Sequence, residues 1–131
     1  IFGAAIRRCH AFPVKRGASD RGAIKAAVAV LKEGRILGLF PEGTRSKTGE
    51  LQKAEAGVAL IAAMTGAPIV PVAILNTHRI FSNGGLIPQL RIMYGEPITF
   101  DGDRKSKEAL DAFSAEIMEH IARMKDDLSK K

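Results

Sequence analysis

The residues best equipped for chemistry lie in Phe40-Pro41-Glu42-Gly43-Thr44-Arg45-Ser46, where an aromatic and a proline give way to a carboxylate, a glycine, two hydroxyls and a guanidinium. Gly43 permits a backbone shape or a close ligand approach that a side chain would obstruct. Thr44 and Ser46 offer hydroxyls, and Arg45 offers a planar donor fork. Such a set suits an anionic, oxygen-rich ligand. Arg16 and Lys53 each stand at a loop beside a regular element, and the crossovers of a layered α/β fold would bring those loops to the side of the sheet that carries Arg45. A phosphate there would meet two forks and an ammonium, with charge-assisted contacts worth roughly 1.5 to 3 kcal/mol each. Glu42 does not fit pure anion binding. It either orients an arginine or accepts a hydrogen bond from a substrate hydroxyl. No Gly-x-x-x-x-Gly-Lys-Ser/Thr or Gly-x-Gly-x-x-Gly pattern is present, so a nucleotide cradle is not expected.

The elements that must position this loop follow from periodicity. Ile36-Leu37-Gly38-Leu39-Phe40 is continuously apolar, which predicts a strand covered on both faces and ended by Pro41. Upstream, Ala11 to Val14 predicts a short strand, which Pro13 makes an edge or an irregular one. Ser19 or Asp20 caps a helix carrying Ile24, Ala27, Val28 and Leu31 on one face, with Gly34 at its end. Downstream, Glu55 to Thr65 predicts a helix that is apolar nearly all round and ends at Gly66. Ile69 to Leu75 predicts a second apolar strand whose Pro71 belongs near its start, at an edge or beside a bulge. Residues 76 to 88 read as a long loop, Leu90 to Tyr94 as an alternating strand. Leu110, Phe113, Ile117, Ile121, Met124 and Leu128 define a final amphipathic helix capped by Ser106. One α/β domain over residues 1 to 131 is expected, with a mainly parallel or mixed central sheet flanked by helices.

The net charge of +6 is unevenly placed: residues 1 to 53 carry net +7 and the remainder net −1. The basic half could attract a phosphate, an anionic membrane surface or nucleic acid. With 5% aromatics and no tryptophan there are few platforms for stacking bases, so nucleic acid is not an expected partner. Cys9 is the single cysteine and has no internal disulfide partner, which makes a reducing compartment the default. No apolar run approaches the roughly 20 residues that span a bilayer. No metal-ligating set is expected.

The Phe40-to-Ser46 block resembles the Phe-Pro-Glu-Gly-Thr-Arg-Ser block of the glycerolipid acyltransferases of the bacterial 1-acylglycerol-3-phosphate acyltransferase type. Phe12-Pro13-Val14-Lys15-Arg16-Gly17 is similar to that family's arginine block. Ala67-Pro68-Ile69-Val70-Pro71-Val72 is similar to its proline-containing hydrophobic block. The order and spacing of all three agree, and the resemblance runs to about residue 100. It implies a glycerol-3-phosphate acyltransferase-like fold. The implied activity is transfer of a fatty acyl group from coenzyme A or acyl carrier protein to lysophosphatidic acid, forming phosphatidic acid, with no cofactor beyond the thioester donor. It further implies acceptor binding by Arg16, Glu42, Gly43, Thr44 and Arg45; Lys53 is added because it stands near a position that is often basic in the family. The implied location is the cytoplasmic face of the cell membrane, peripheral or anchored through a segment outside these residues.

One departure matters. The family's catalytic block is a histidine followed five positions later by an aspartate, with the histidine as general base. Here the fifth residue after His10 is Lys15, after His78 Asn83, and after His120 Lys125. No catalytic residue is therefore assigned within the chain. The expectation is an N-terminally truncated enzyme domain, inactive alone, and the alternative is a noncatalytic phosphate- or phospholipid-binding module.

Overall fold

In the computed structural model, which describes residues 10–11, 20–43, 50–76 and 90–130, the first helix begins where its cap is written in the sequence. Asp20 accepts a hydrogen bond from the Ala23 N–H at 3.1 Å and opens α1 (Arg21–Lys32). This satisfies one of the donors a helix start leaves unpaired. Ala27 and Val28 are buried on the expected face, while Ile24 and Leu31 are half-buried. Gly34 follows the helix with a φ of 73°. The chain divides into two units, Ile1–Leu39 and Phe40–Lys131, and α1 belongs to the first.

The second unit contains α2 (Gly57–Thr65), β1 (Val72–Leu75), β2 (Arg91–Tyr94) and α3 (Lys107–Lys130). The apolar run of α2 buries Val58, Ala59, Ile61 and Ala62. Gly66 then turns left-handed, at φ 69°, and its N–H caps the Ala62 carbonyl. Ser106 caps α3 by accepting from the Ala109 N–H at 3.2 Å. Of the six apolar positions foreseen on α3, Phe113, Ile117, Met124 and Leu128 are buried, and Leu110 and Ile121 are half-buried.

These two helices build the core. Val58, Ala59 and Ala62 of α2 meet Phe113 and Ile117 of α3, with Ile69, Ile98 and Phe100 packed around them. The small alanines of α2 share this buried cluster with the Phe113 ring. That ring meets Phe100 edge to face, centroids 5.3 Å apart, a geometry favoured by the aromatic quadrupole. Burying Ile117, which is 2% exposed, contributes about 1.5 to 3 kcal/mol.

β1 and β2 pair antiparallel with Val72 opposite Tyr94, Ala73 opposite Met93 and Ile74 opposite Ile92. An isolated bridge between Ile69 and Ile98 extends the pairing beyond Pro71. Pro71 stands just before β1, where its missing N–H costs no ladder bond, and its carbonyl accepts from the Gly95 N–H at 2.9 Å. α3 packs on both strands and on α2. Arg91 reaches it with a hydrogen bond from Nη1 to the Leu128 carbonyl at 3.2 Å.

The expected alternation of β2 is present: Ile92 is 49% exposed and Tyr94 71%, while Arg91 and Met93 are half-buried. Alternation fixes which residues share a face, and only packing decides which face is covered. The run at 36–40 forms no strand, with Ile36 96% and Phe40 83% exposed. A continuous apolar run becomes a buried strand only beside a strand that takes its ladder bonds, and among the described residues none pairs with it. The sheet among the described residues is two-stranded and antiparallel. Helices layered against a sheet are as foreseen. The short strand expected at 11–14 and the loop expected at 76–88 lie largely outside the described residues.

Candidate functional site

Pro41 and Glu42 enter a tight turn in which the Gly43 N–H donates to the Phe40 carbonyl at 3.2 Å. Gly43 takes a φ of 64°, the left-handed region that a side chain makes costly. A β-carbon at Gly43 would also lie 2.8 Å from Cγ of Glu55. Backbone conformation and crowding both select glycine there.

The turn is tied to the residues just before α2 by two further bonds. The Glu55 N–H donates to the Pro41 carbonyl at 2.8 Å. The Gln52 N–H donates to Oε2 of Glu42, also at 2.8 Å. A loop whose interior spans 43–51 is therefore closed at its root. Its descending limb runs directly into α2, which is anchored in the core through Val58 and Ala59.

Of the predicted site residues, Glu42, Gly43 and Lys53 are described. Glu42 is half-buried at the loop root, Gly43 makes the turn, and Lys53 is exposed on the returning limb next to Gln52. The geometry brings these three to one loop base. Arg16, Thr44 and Arg45 lie outside the described residues. Glu55 and Gln52 were not foreseen as site residues. Glu55 read as the beginning of a helix, and Gln52 acts through its main-chain N–H, which no side-chain type advertises.

Two histidines are described. His10 is exposed with a φ of 59°, and His120 lies on α3, its Nε2 3.9 Å from Oε1 of Glu116. Among the described residues no group of three or more His, Cys, Asp or Glu side chains is placed to hold a metal ion. No helix among them is long and apolar enough to cross a membrane.

Comparison with known proteins gives this geometry a family context. The family model described as Acyltransferase matches residues 1–75. A 1-acyl-sn-glycerol-3-phosphate acyltransferase of Bacillus subtilis is 32% identical over 133 residues, covering 98% of this chain and 64% of that protein. One from Streptococcus pneumoniae is 32% identical, covering 97% of this chain and 47% of its own length. A chloroplastic counterpart from Brassica napus is 34% identical over 104 residues, 75% of this chain and 30% of the relative. The crystal structure of the 1-acyl-sn-glycerophosphate acyltransferase PlsC from Thermotoga maritima superposes with a TM-score of 0.64 at 27% identity, covering 88% of this chain and 46% of that one. The chain thus spans less than two thirds of the length of each of these proteins.

Proposed function

The chain belongs to the acyltransferase family, and from that premise we propose that it forms the acceptor-binding part of a lysophosphatidic acid acyltransferase. The observation that carries this reading is the Phe40-to-Ser46 block, which falls inside the matched region and whose described half forms a loop root tied to a core helix. In the proposed reaction the free hydroxyl oxygen of lysophosphatidate attacks the thioester carbonyl of acyl-CoA or acyl carrier protein. A new ester forms, the thiol leaves, and the hydroxyl proton passes through a general base to the departing sulfur. Arg16, Arg45, Thr44 and Lys53 would hold the glycerol phosphate. Two arginine forks suit its geometry better than lysines would.

No His-x-x-x-x-Asp pair occurs in the 131 residues, so we assign them binding and not turnover. The same reading places these residues in a mainly parallel or mixed sheet flanked by helices in the complete protein. It places the protein at a membrane surface, where both its acceptor and its product reside, with the basic half toward anionic headgroups. A specific observation favours one second reading. Without a histidine–aspartate pair, the chain would also serve as a phosphate- or phospholipid-binding module.

The test is an assay of the complete protein with lysophosphatidate and each thioester donor in turn, beside the 131 residues alone. Phosphatidate formed by the complete protein, with binding but no turnover by the 131 residues, is the expected result. Failure of the complete protein with both donors would favour the binding module. Acyl transfer by the 131 residues alone would overturn the assignment of the base.

A further inference from the structure

A carboxylate within a phosphate grip is an electrostatic oddity, since it repels the ligand that the neighbouring arginines attract. The geometry at the loop root gives Glu42 a different task. One of its two oxygens is taken by a main-chain N–H ten residues further along the chain, at 2.8 Å, the short distance of a charge-assisted bond. The Pro41 carbonyl and Glu55 N–H make a second bond of the same length beside it, and Glu55 packs its Cγ over Gly43. Neighbouring residues on one limb thus grip neighbouring residues on the other.

We propose that Glu42 is a positioning residue: its carboxylate pins the residues before the candidate loop to those after it by accepting the Gln52 N–H, and so supports acceptor binding without itself touching the acceptor. The inference rests on the acceptor-binding reading for its consequence, but the clamp itself is a property of the unliganded chain. It gives Glu42 a role beside the two the sequence left open, orienting an arginine or accepting from a substrate hydroxyl. The bound N–H also draws off part of the negative charge that a bare carboxylate would set against a phosphate.

Length and charge separate this role from its rivals. Glu42→Gln keeps the reach and an oxygen acceptor while losing the charge, whereas Glu42→Asp keeps the charge and withdraws the oxygens by one methylene. Amide hydrogen exchange at Gln52, measured in the complete protein without ligand, reads the clamp directly. The expected result is exchange faster by about tenfold or more in Glu42→Ala and Glu42→Asp, with protection largely recovered in Glu42→Gln. In acyl-transfer kinetics, the acceptor KM rises in the same order while the donor KM holds and the thermal midpoint moves little.

Equal Gln52 exchange in the parent and Glu42→Ala would overturn the clamp and leave the lysophosphatidate reading standing. Better rescue of the acceptor KM by Glu42→Asp than by Glu42→Gln would also overturn it, in favour of a charge contact. If the exchange pattern is as expected but the complete protein neither binds nor acylates lysophosphatidate, the clamp is upheld and the functional reading fails.

Discussion

Glu55 lies against Gly43 so closely that a β-carbon on the glycine would stand 2.8 Å from Cγ of the glutamate. This contact joins the turn that opens the candidate loop to the residue that leads into α2. The glycine also holds a φ of 64°, so the two demands on position 43 are separable by mutation.

Gly43→Ala should weaken acceptor binding by roughly tenfold, because a left-handed alanine costs about 1 to 2 kcal/mol before any crowding is counted. Adding Glu55→Ala removes the crowding and leaves the backbone cost, so the double variant should recover part of the loss and not all of it. Acceptor KM values for the two single variants and the double variant, compared as a cycle, measure the division.

Arg45→Ala in the complete protein should raise the acceptor KM by about tenfold or more, the loss of one charge-assisted contact to a phosphate. Arg45→Lys should restore only part, since an ammonium supplies charge without the fork. Unaltered acceptor kinetics in both variants would remove Arg45 from the site.

Ile117→Ala should lower unfolding free energy by about 2 to 5 kcal/mol, because the side chain is 2% exposed and sits where α2 and α3 meet. The urea midpoint reports it. A loss below 1 kcal/mol would mean that the α2–α3 contact is not the centre of the second unit.

Asp20→Ala removes the acceptor for the Ala23 N–H and should cost α1 about 1 kcal/mol. Asp20→Asn, which keeps a capping oxygen, should recover most of it. Helix content followed by circular dichroism through thermal unfolding distinguishes the two.

The parts of the fold legible in the sequence are those fixed by local rules. Asp20 and Ser106 cap helices because their oxygens reach N–H groups three residues on. Gly66 ends α2 because glycine takes the left-handed turn without the steric cost of a side chain. The apolar spacing of α3 names its buried face because 3.6 residues per turn allows little else. What local rules could not reach were decisions made by distant partners. Ile92 and Tyr94 alternate correctly, yet the covering of their face depends on what packs there. The run at 36–40 needs a neighbour to become a strand. At the candidate loop, residue types pointed to Glu42 and Gly43, but the bond that gives Glu42 its task ends on the Gln52 main chain, which has the same chemistry at almost every position.

The pinned loop root carries a consequence for how this segment can drift in length. Two hydrogen bonds fix where the chain leaves and where it returns, so an added residue between them lengthens a tethered arc without shifting either anchor. The entropy of closing such an arc grows only logarithmically, and a full doubling costs about 0.6 kcal/mol. Insertions near Lys47 to Gly49 should then be tolerated while the residues next to the pins stay in register. Lengthening between Pro41 and Gly43 would break the register at once.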